Sequence, residues 1–228
     1  MKMTALLLFG LLAFAQATPQ VLPSTESALS ADPKGWVDLL ADKSLKDWTR
    51  VPLGAGKTLP AGDVNASSPW KMDPTGTILV CDGDKSGHEM FRYGQEYGDQ
   101  VLHVEWRFAK LEGEPAYNSG IYARASADGT IWHQAQTGPT GGFLFGNTLV
   151  NGAPQRVNLR DTMTENRVKP AGEWNTYEIT AKGPTVSLWV NGAVTSTLEK
   201  LEVLRGHVGF EAEGYRIEFR NVKLKRLE

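Results

Sequence analysis

Apolar and polar residues alternate with a period of two through much of the chain, the pattern of strands that bury one face. In segment 98–110, Leu102, Val104, Trp106 and Phe108 fall on one side and His103, Glu105 and Arg107 on the other. Segment 118–125 sets Asn118, Tyr122 and Arg124 against Ile121, Ala123 and Ala125, and segment 131–136 groups Trp132, Gln134 and Gln136. Segments 174–182 and 185–190 predict a hairpin, the second ending at Asn191-Gly192, a strong tight-turn signal. Segment 207–213 sets His207, Gly209, Glu211 and Glu213 against Val208, Phe210 and Ala212. Segment 215–227 aligns Tyr215, Ile217 and Phe219, then loses alternation at Arg220-Asn221, which predicts a bulge. Strands this numerous, with little helical periodicity between them, predict an all-β, two-sheet sandwich.

Composition agrees. The chain has 24 Gly and 12 Pro for turns, and 7 Trp, 6 Tyr and 8 Phe, residues suited to pleated, half-buried surfaces. Apolar residues at 41% are too many for disorder. With 24 Lys+Arg against 26 Asp+Glu, the formal net charge is −2, so no basic face for nucleic acid is expected. One cysteine, Cys81, excludes an intrachain disulfide or a cysteine-built zinc site and predicts a buried core thiol.

Residues 1–17 read as a signal peptide: Lys2 gives the positive start, Ala5 to Ala15 the apolar stretch, and Ala15-Gln16-Ala17 the small-x-small cleavage pattern. Cleavage after Ala17 and a secreted or periplasmic location are expected, with no membrane attachment afterwards, because the apolar run is shorter than the ~20 residues that span a bilayer. Residues 18–34, rich in Pro, Ser, Thr and Ala, read as a flexible lead-in, and residues 35–228 as one domain. Segment 54–68 is a second loop-like stretch.

Several groups could carry chemistry. The row His103, Glu105, Arg107 suits proton transfer or sugar recognition, and equally a solvated face with cross-strand ion pairs. Asn118-Ser119-Gly120, followed by Arg124, offers directional donors for hydroxyls or oxyanions. Trp132, His133, Gln134 and Gln136 combine an aromatic plate, an imidazole and two amides, a mixture found in polar-ligand pockets. Glu211 and Glu213 form a carboxylate pair on one strand face. The four histidines, His88, His103, His133 and His207, lack a recognised metal spacing, and Cys81-Asp82-Gly83-Asp84 reads better as a turn than as a calcium loop.

In order, several motifs carry a resemblance: Trp36-Val37-Asp38-Leu39-Leu40, Leu45-Lys46-Asp47-Trp48, Trp70 ahead of Gly76-Thr77-Ile78-Leu79, Val104-Glu105-Trp106-Arg107, Asn118-Ser119-Gly120-Ile121-Tyr122-Ala123-Arg124, Gly172-Glu173-Trp174-Asn175, Trp189-Val190-Asn191-Gly192 and Phe219-Arg220-Asn221-Val222. Together they resemble the 3-keto-disaccharide hydrolase domain family. The resemblance implies a concanavalin/laminin-G-like jelly roll, secretion, and action on 3-keto-disaccharides or other 3-keto-glycosides. The family's Asn-Ser-Gly falls on Asn118, Ser119 and Gly120, its arginine on Arg124, and its Glu-x-Gln strand on Gln134-Ala135-Gln136, so that Gln134 stands where the family has a glutamate. A glutamine cannot act as a general base.

A ketone at C3 acidifies the C2 hydrogen. Its removal puts charge on the C3 oxygen as an enolate, the group on C1 leaves by β-elimination, and water adds back to complete hydrolysis. Such a site needs a base, a stabiliser for the oxyanion and hydroxyl contacts. The expected catalytic residues are His133 or Glu105 as base, with Glu211 in reserve, and Arg124 as stabiliser. Arg107, Asn118, Ser119, Tyr122, Trp132, Gln134, Gln136 and Glu211 are expected to bind a carbohydrate or oxidised glycoside. One sheet is expected to carry these residues. The chemistry leaves room for a divalent cation and demands no other cofactor. The competing reading is a lectin-like sandwich that holds glycans without turnover.

Overall fold

The computed structural model describes residues 25–54, 68–83, 87–113 and 115–228. The signal segment 1–17, the start of the lead-in and most of the loop 54–68 lie outside the described residues. The elements, in chain order, are α1 (Ala28–Ala31), β1 (Val37–Asp38), β2 (Trp48–Pro52), β3 (Trp70–Met72), β4 (Leu79–Cys81), β5 (Glu89–Tyr97), β6 (Gln100–Phe108), β7 (Gly120–Ala125) and β8 (Trp132–Gln136). There follow β9 (Leu144–Val150), β10 (Ala153–Asn158), β11 (Asn175–Lys182), β12 (Thr185–Val190), β13 (Ala193–Leu198), β14 (Gly206–Ala212) and β15 (Ile217–Arg226). One sheet has the order β13-β12-β11-β6-β15-β4-β3 with β1 added on β15, and the other β10-β9-β8-β7-β14-β5-β2; every recorded pairing is antiparallel. This is the expected all-β jelly-roll sandwich.

The alternating apolar rows close on one another between the sheets. Leu102, Val104, Trp106 and Phe108 of β6 meet Ile121 and Ala123 of β7, Phe210 and Ala212 of β14 and Phe219 of β15 in one buried cluster. Phe210 and Phe219 stack across the two sheets with centroids 4.1 Å apart, and Trp70 stacks on Phe91 at 4.7 Å. Such ring pairs add roughly 0.5–1.5 kcal/mol each beyond the area they bury. Cys81 is fully buried, as expected, and burial pushes its thiol well above the usual range. At the open edge, Arg50 pairs with Glu89 through Nε (2.8 Å) and Nη2 (2.7 Å), and Trp70 Nε1 donates to the same carboxylate at 2.8 Å. That trio ties β2 and β5 of one sheet to β3 of the other.

The tight turn stands at Asn191-Gly192, both with positive φ (44° and 111°), as a two-residue hairpin requires. The bulge stands too: pairing with β6 slips between Arg220 and Lys223, with Asn221 at φ 47°. Residues 25–34 were expected as a loose lead-in, but they rest on the eight-stranded sheet. The Glu178 carboxylate accepts the backbone N–H of Ala28 (2.6 Å) and Leu29 (3.1 Å), which neutralises the first turn of α1. Among the described residues no helix is long and apolar enough to cross a membrane.

Candidate functional site

A cleft of about 470 Å³ lies on the outer face of the seven-stranded sheet. Its floor follows from strand parity. Ile121, Ala123, Ala135, Phe210 and Ala212 point into the core, so Tyr122, Gln134 and Glu211 of the same strands point out. The registers Tyr122↔Gln134 and Tyr122↔Gly209 lay these strands side by side. The next strand to the other side, β5, is preceded by His88, which brings an imidazole to the same floor.

A connected polar network covers the floor. Glu211 is buried, and its Oε1 accepts from Tyr122 Oη at 2.9 Å and meets His88 Nε2 at 2.7 Å. Its Oε2 accepts from Gln134 Nε2 at 2.8 Å. Gln134 Nε2 also reaches Gln136 Oε1 (3.1 Å), Gln136 Nε2 donates to Asn118 Oδ1 (2.6 Å), and Asn118 Nδ2 donates to Glu213 Oε2 (2.5 Å). Ser119 Oγ donates to the Glu211 carbonyl at 2.7 Å and fixes the strand beneath. Gly120 is required here, because a Cβ would sit 1.9 Å from Gln134 Nε2. Three donors therefore hold Glu211 in place, whereas Glu213 accepts from Asn118 alone among the described residues. Burial, then the charge of Glu211, raises the Glu213 carboxyl above its ordinary range, against the pull of His88. Burial, then Glu211, pushes the Tyr122 hydroxyl up as well, so it stays a donor at neutral pH.

Gln134 acts as a donor through its Nε2. A carboxylate at this position would face that of Glu211 with like charge; the amide instead binds it. Gln134 Oε1 is buried without a donor among the described residues. His88, Glu211 and Glu213 also bring one imidazole nitrogen and two carboxylate oxygens within 4.8 Å of one another, a mixed nitrogen–oxygen donor set that a divalent cation could use.

The walls are aromatic and cationic. Trp132 packs edge-on against Tyr122 (5.7 Å) and Phe145 (4.7 Å), and Arg156 lies over the Trp132 and Phe145 rings at 4.7 and 4.5 Å. Arg160 lies over Phe143 at 5.2 Å.

The structure thus brings together six residues expected at the site, Asn118, Tyr122, Trp132, Gln134, Gln136 and Glu211, with Ser119 directly beneath. It removes four others from it. Glu105 and Arg107 project from β6 on the outer face of the opposite sheet. There Arg220 Nε and Asn221 Nδ2 each bind Glu105 at 2.6 Å, and Arg107 binds Glu218 at 2.8 Å. The His103 ring, followed by Asn221 and Arg220, holds the Glu105 carboxyl down to about 2, the reverse of what a base needs. His133 pairs with Ala123 on the core face and meets Thr148 Oγ1 at 2.9 Å; burial pulls its imidazole down to about 4.

Arg124 is turned away by a bulge. His207 pairs with Ala125 and Gly209 with Tyr122, so two residues of β7 oppose Val208 alone, and Arg124 takes φ 50°. Its guanidinium is fully buried at one end of the sandwich. It donates to the carbonyls of Gly183 (2.6 Å), Gly98 (3.3 Å) and Val203 (3.4 Å) and to Asp99 Oδ1 (3.0 Å).

Strand parity had placed Glu213 on the face of Glu211 without giving it a role, and it left out His88 and the arginines. A signal existed for the arginines: Arg156, Asn158 and Arg160 recur at even steps, as residues on one face of a strand do.

Comparison with solved structures places the fold in context. A glycosyl-hydrolase candidate from Parabacteroides distasonis is 17% identical, covers 90% of this chain and 100% of its own, and superposes with a TM-score of 0.59. A second one from the same organism is 15% identical over 84% and 99% of the two chains, TM-score 0.55. A carbohydrate binding module from Bacillus subtilis is 12% identical over 78% and 95%, TM-score 0.54. At these identities the likeness shows the fold alone. No curated protein matches the chain. The family model for the 3-keto-alpha-glucoside-1,2-lyase-like domain matches residues 35–225. That span runs from just before β1 almost to the end of β15 and holds every residue of the cleft, and the chain therefore belongs to the 3-keto-alpha-glucoside-1,2-lyase-like domain family.

Proposed function

We propose that the protein cleaves 3-keto-glycosides by removing the C2 proton and expelling the group on C1. The observation that carries this reading is the trio Glu213, His88 and Glu211 on the cleft floor. Glu213 is the base. It is half-buried, little hydrogen-bonded and raised above its ordinary value by burial and by Glu211, which makes it a stronger base than an ordinary carboxylate. Glu211, fixed by Tyr122 and Gln134, orients the His88 ring. That ring lies beside Glu213 on the cleft floor, where its charge, when protonated, stabilises the C3 oxygen as the enolate forms. The electron pair of the C2–H bond forms the C2=C3 enolate. Its collapse back to the ketone makes the C1=C2 double bond and sends the C1 substituent away with its bonding pair. Water added at C1 then gives net hydrolysis. Gln136 and Asn118 supply hydroxyl contacts, and Trp132 lines the wall beside the sugar ring.

Secretion after cleavage at Ala17 suits a protein that meets such glycosides outside the cytoplasm. The test is incubation with 3-keto-glucosides, with and without EDTA, in deuterated water. Turnover with exchange at C2 is expected. Glu213→Gln should lower kcat by about 10²–10⁴. Because the deprotonated base is the active form, the wild-type rate should rise with pH through a value above that of an ordinary glutamate, a limb the variant should lack. Tight binding with neither exchange nor release of the C1 group would leave a glycan-binding sandwich instead.

A further inference from the structure

Two guanidinium groups in the cleft have no task in this chemistry. Arg156 and Arg160 face the cleft with Asn158 between them. Neither has a carboxylate partner among the described residues, unlike Arg50, Arg107, Arg124, Arg167, Arg205, Arg216 and Arg220. Their positions come from rings: Arg156 over Trp132 and Phe145, Arg160 over Phe143. Stacking on an aromatic face orients a guanidinium while leaving its in-plane N–H donors available. The Asn158 Oδ1 accepts the Arg160 backbone N–H at 2.9 Å, which fixes the chain between the two. The negative groups of the cleft, Glu211 and Glu213, come from β14 and the residue that follows it, whereas the arginines come from β10 and just beyond, at the far edge of the same sheet. The cleft is therefore polarised, acidic toward the reacting end and cationic toward the β10 edge.

We propose that the cleft selects glycosides whose departing C1 group carries an anion, a carboxylate or a sulfate, bound by Arg156 and Arg160. The inference rests on the reading of the acidic end as the reacting end. A keto-sugar placed over Glu213 leaves its C1 substituent the β10 wall to lie against, and an anion at the opposite end would meet Glu211 and Glu213 with like charge. Charge-assisted bonds to fixed guanidinium groups are among the stronger polar contacts. Their solvent exposure makes them sensitive to salt.

The experiment compares matched 3-keto-glucosides with phenyl, carboxyphenyl and sulfophenyl groups at C1. Dissociation constants are measured by calorimetry on the Glu213→Gln protein and KM on the wild type. The anionic glycosides should bind about tenfold or more tightly than phenyl, the scale of one charge-assisted hydrogen bond. Added NaCl should shrink the ratio. Arg156→Gln with Arg160→Gln should bring it close to one, and Lys at both positions should restore part of it. Preference for the carboxylate alone or for the sulfate alone would name the anion. Equal binding of phenyl and charged glycosides, or a preference that survives the double Gln variant, overturns the proposal. An arginine-dependent preference without turnover would remove the catalytic reading and leave this one standing.

Discussion

Arg124 separates two accounts of this protein. As an oxyanion stabiliser its loss would lower turnover and leave the fold intact; the structure makes it a buried staple. Its guanidinium serves carbonyls at Gly183, Gly98 and Val203 and the Asp99 carboxylate. These belong to the β5–β6 and β11–β12 connections and to the segment before β14, so one side chain joins both sheets at that end. Arg124→Met keeps much of the volume and removes every donor. The Gly183 bond at 2.6 Å is the best formed, whereas those to Gly98 and Val203 are long, and Asp99 keeps 36% of its side chain exposed and can turn to water. With about 1–3 kcal/mol for each buried acceptor left unpaired, and roughly two acceptors counted in full, the loss comes to about 2–6 kcal/mol. For a domain of this size that lowers Tm by roughly 4–24 °C. Differential scanning calorimetry reads the shift, and turnover is measured well below the new Tm. A Tm within about 1 °C of wild type, joined to a hundredfold fall in kcat, would refute the staple and return Arg124 to the chemistry.

Gly120→Ala places a Cβ within 1.9 Å of Gln134 Nε2 and should expel that amide from Glu211, lowering kcat/KM about tenfold or more with a small change in Tm, as kinetics and calorimetry would show. Burial pulls the His103 imidazole down, but the neighbouring carboxylates of Glu105 and Glu178, the latter accepting from Nδ1 at 2.8 Å, override it and raise the ring above its ordinary value. A raised folded-state value makes the protonated ring stabilising below the unfolded value, and that stability is lost as pH rises through the folded value. Urea midpoints measured upward from about pH 6 should therefore fall, and His103→Gln should flatten the decline; an unchanged slope would count against the pair. Glu89→Gln removes the buried carboxylate charge that Arg50 and Trp70 bind at the sandwich edge and should cost about 3–5 kcal/mol, read as a lower urea midpoint.

The parity of β6, β7, β8 and β14 is legible in the sequence because each strand buries one face, and a buried face forces the apolar residues into register. Parity set Asn118 with Tyr122, and Gln134 with Gln136, each pair on one face of its strand; that these faces and that of Glu211 line one cleft followed from the family resemblance. The Asn191-Gly192 turn and the Arg220-Asn221 bulge were equally local, being set by which residues tolerate positive φ.

What parity cannot supply is which sheet a strand joins. The row His103, Glu105, Arg107 obeys the same alternation as the row on β7, yet β6 lies in the other sheet, and its polar face looks away from the cleft. A single extra residue at Arg124 reverses the side chain's direction, and no alternation count over so short a strand registers it. His88 enters the site because β5 pairs with β14 across more than a hundred residues of chain. Alternation is a property of one strand, whereas pairing order depends on how all the apolar faces close on each other, and only that closure decides which polar faces meet.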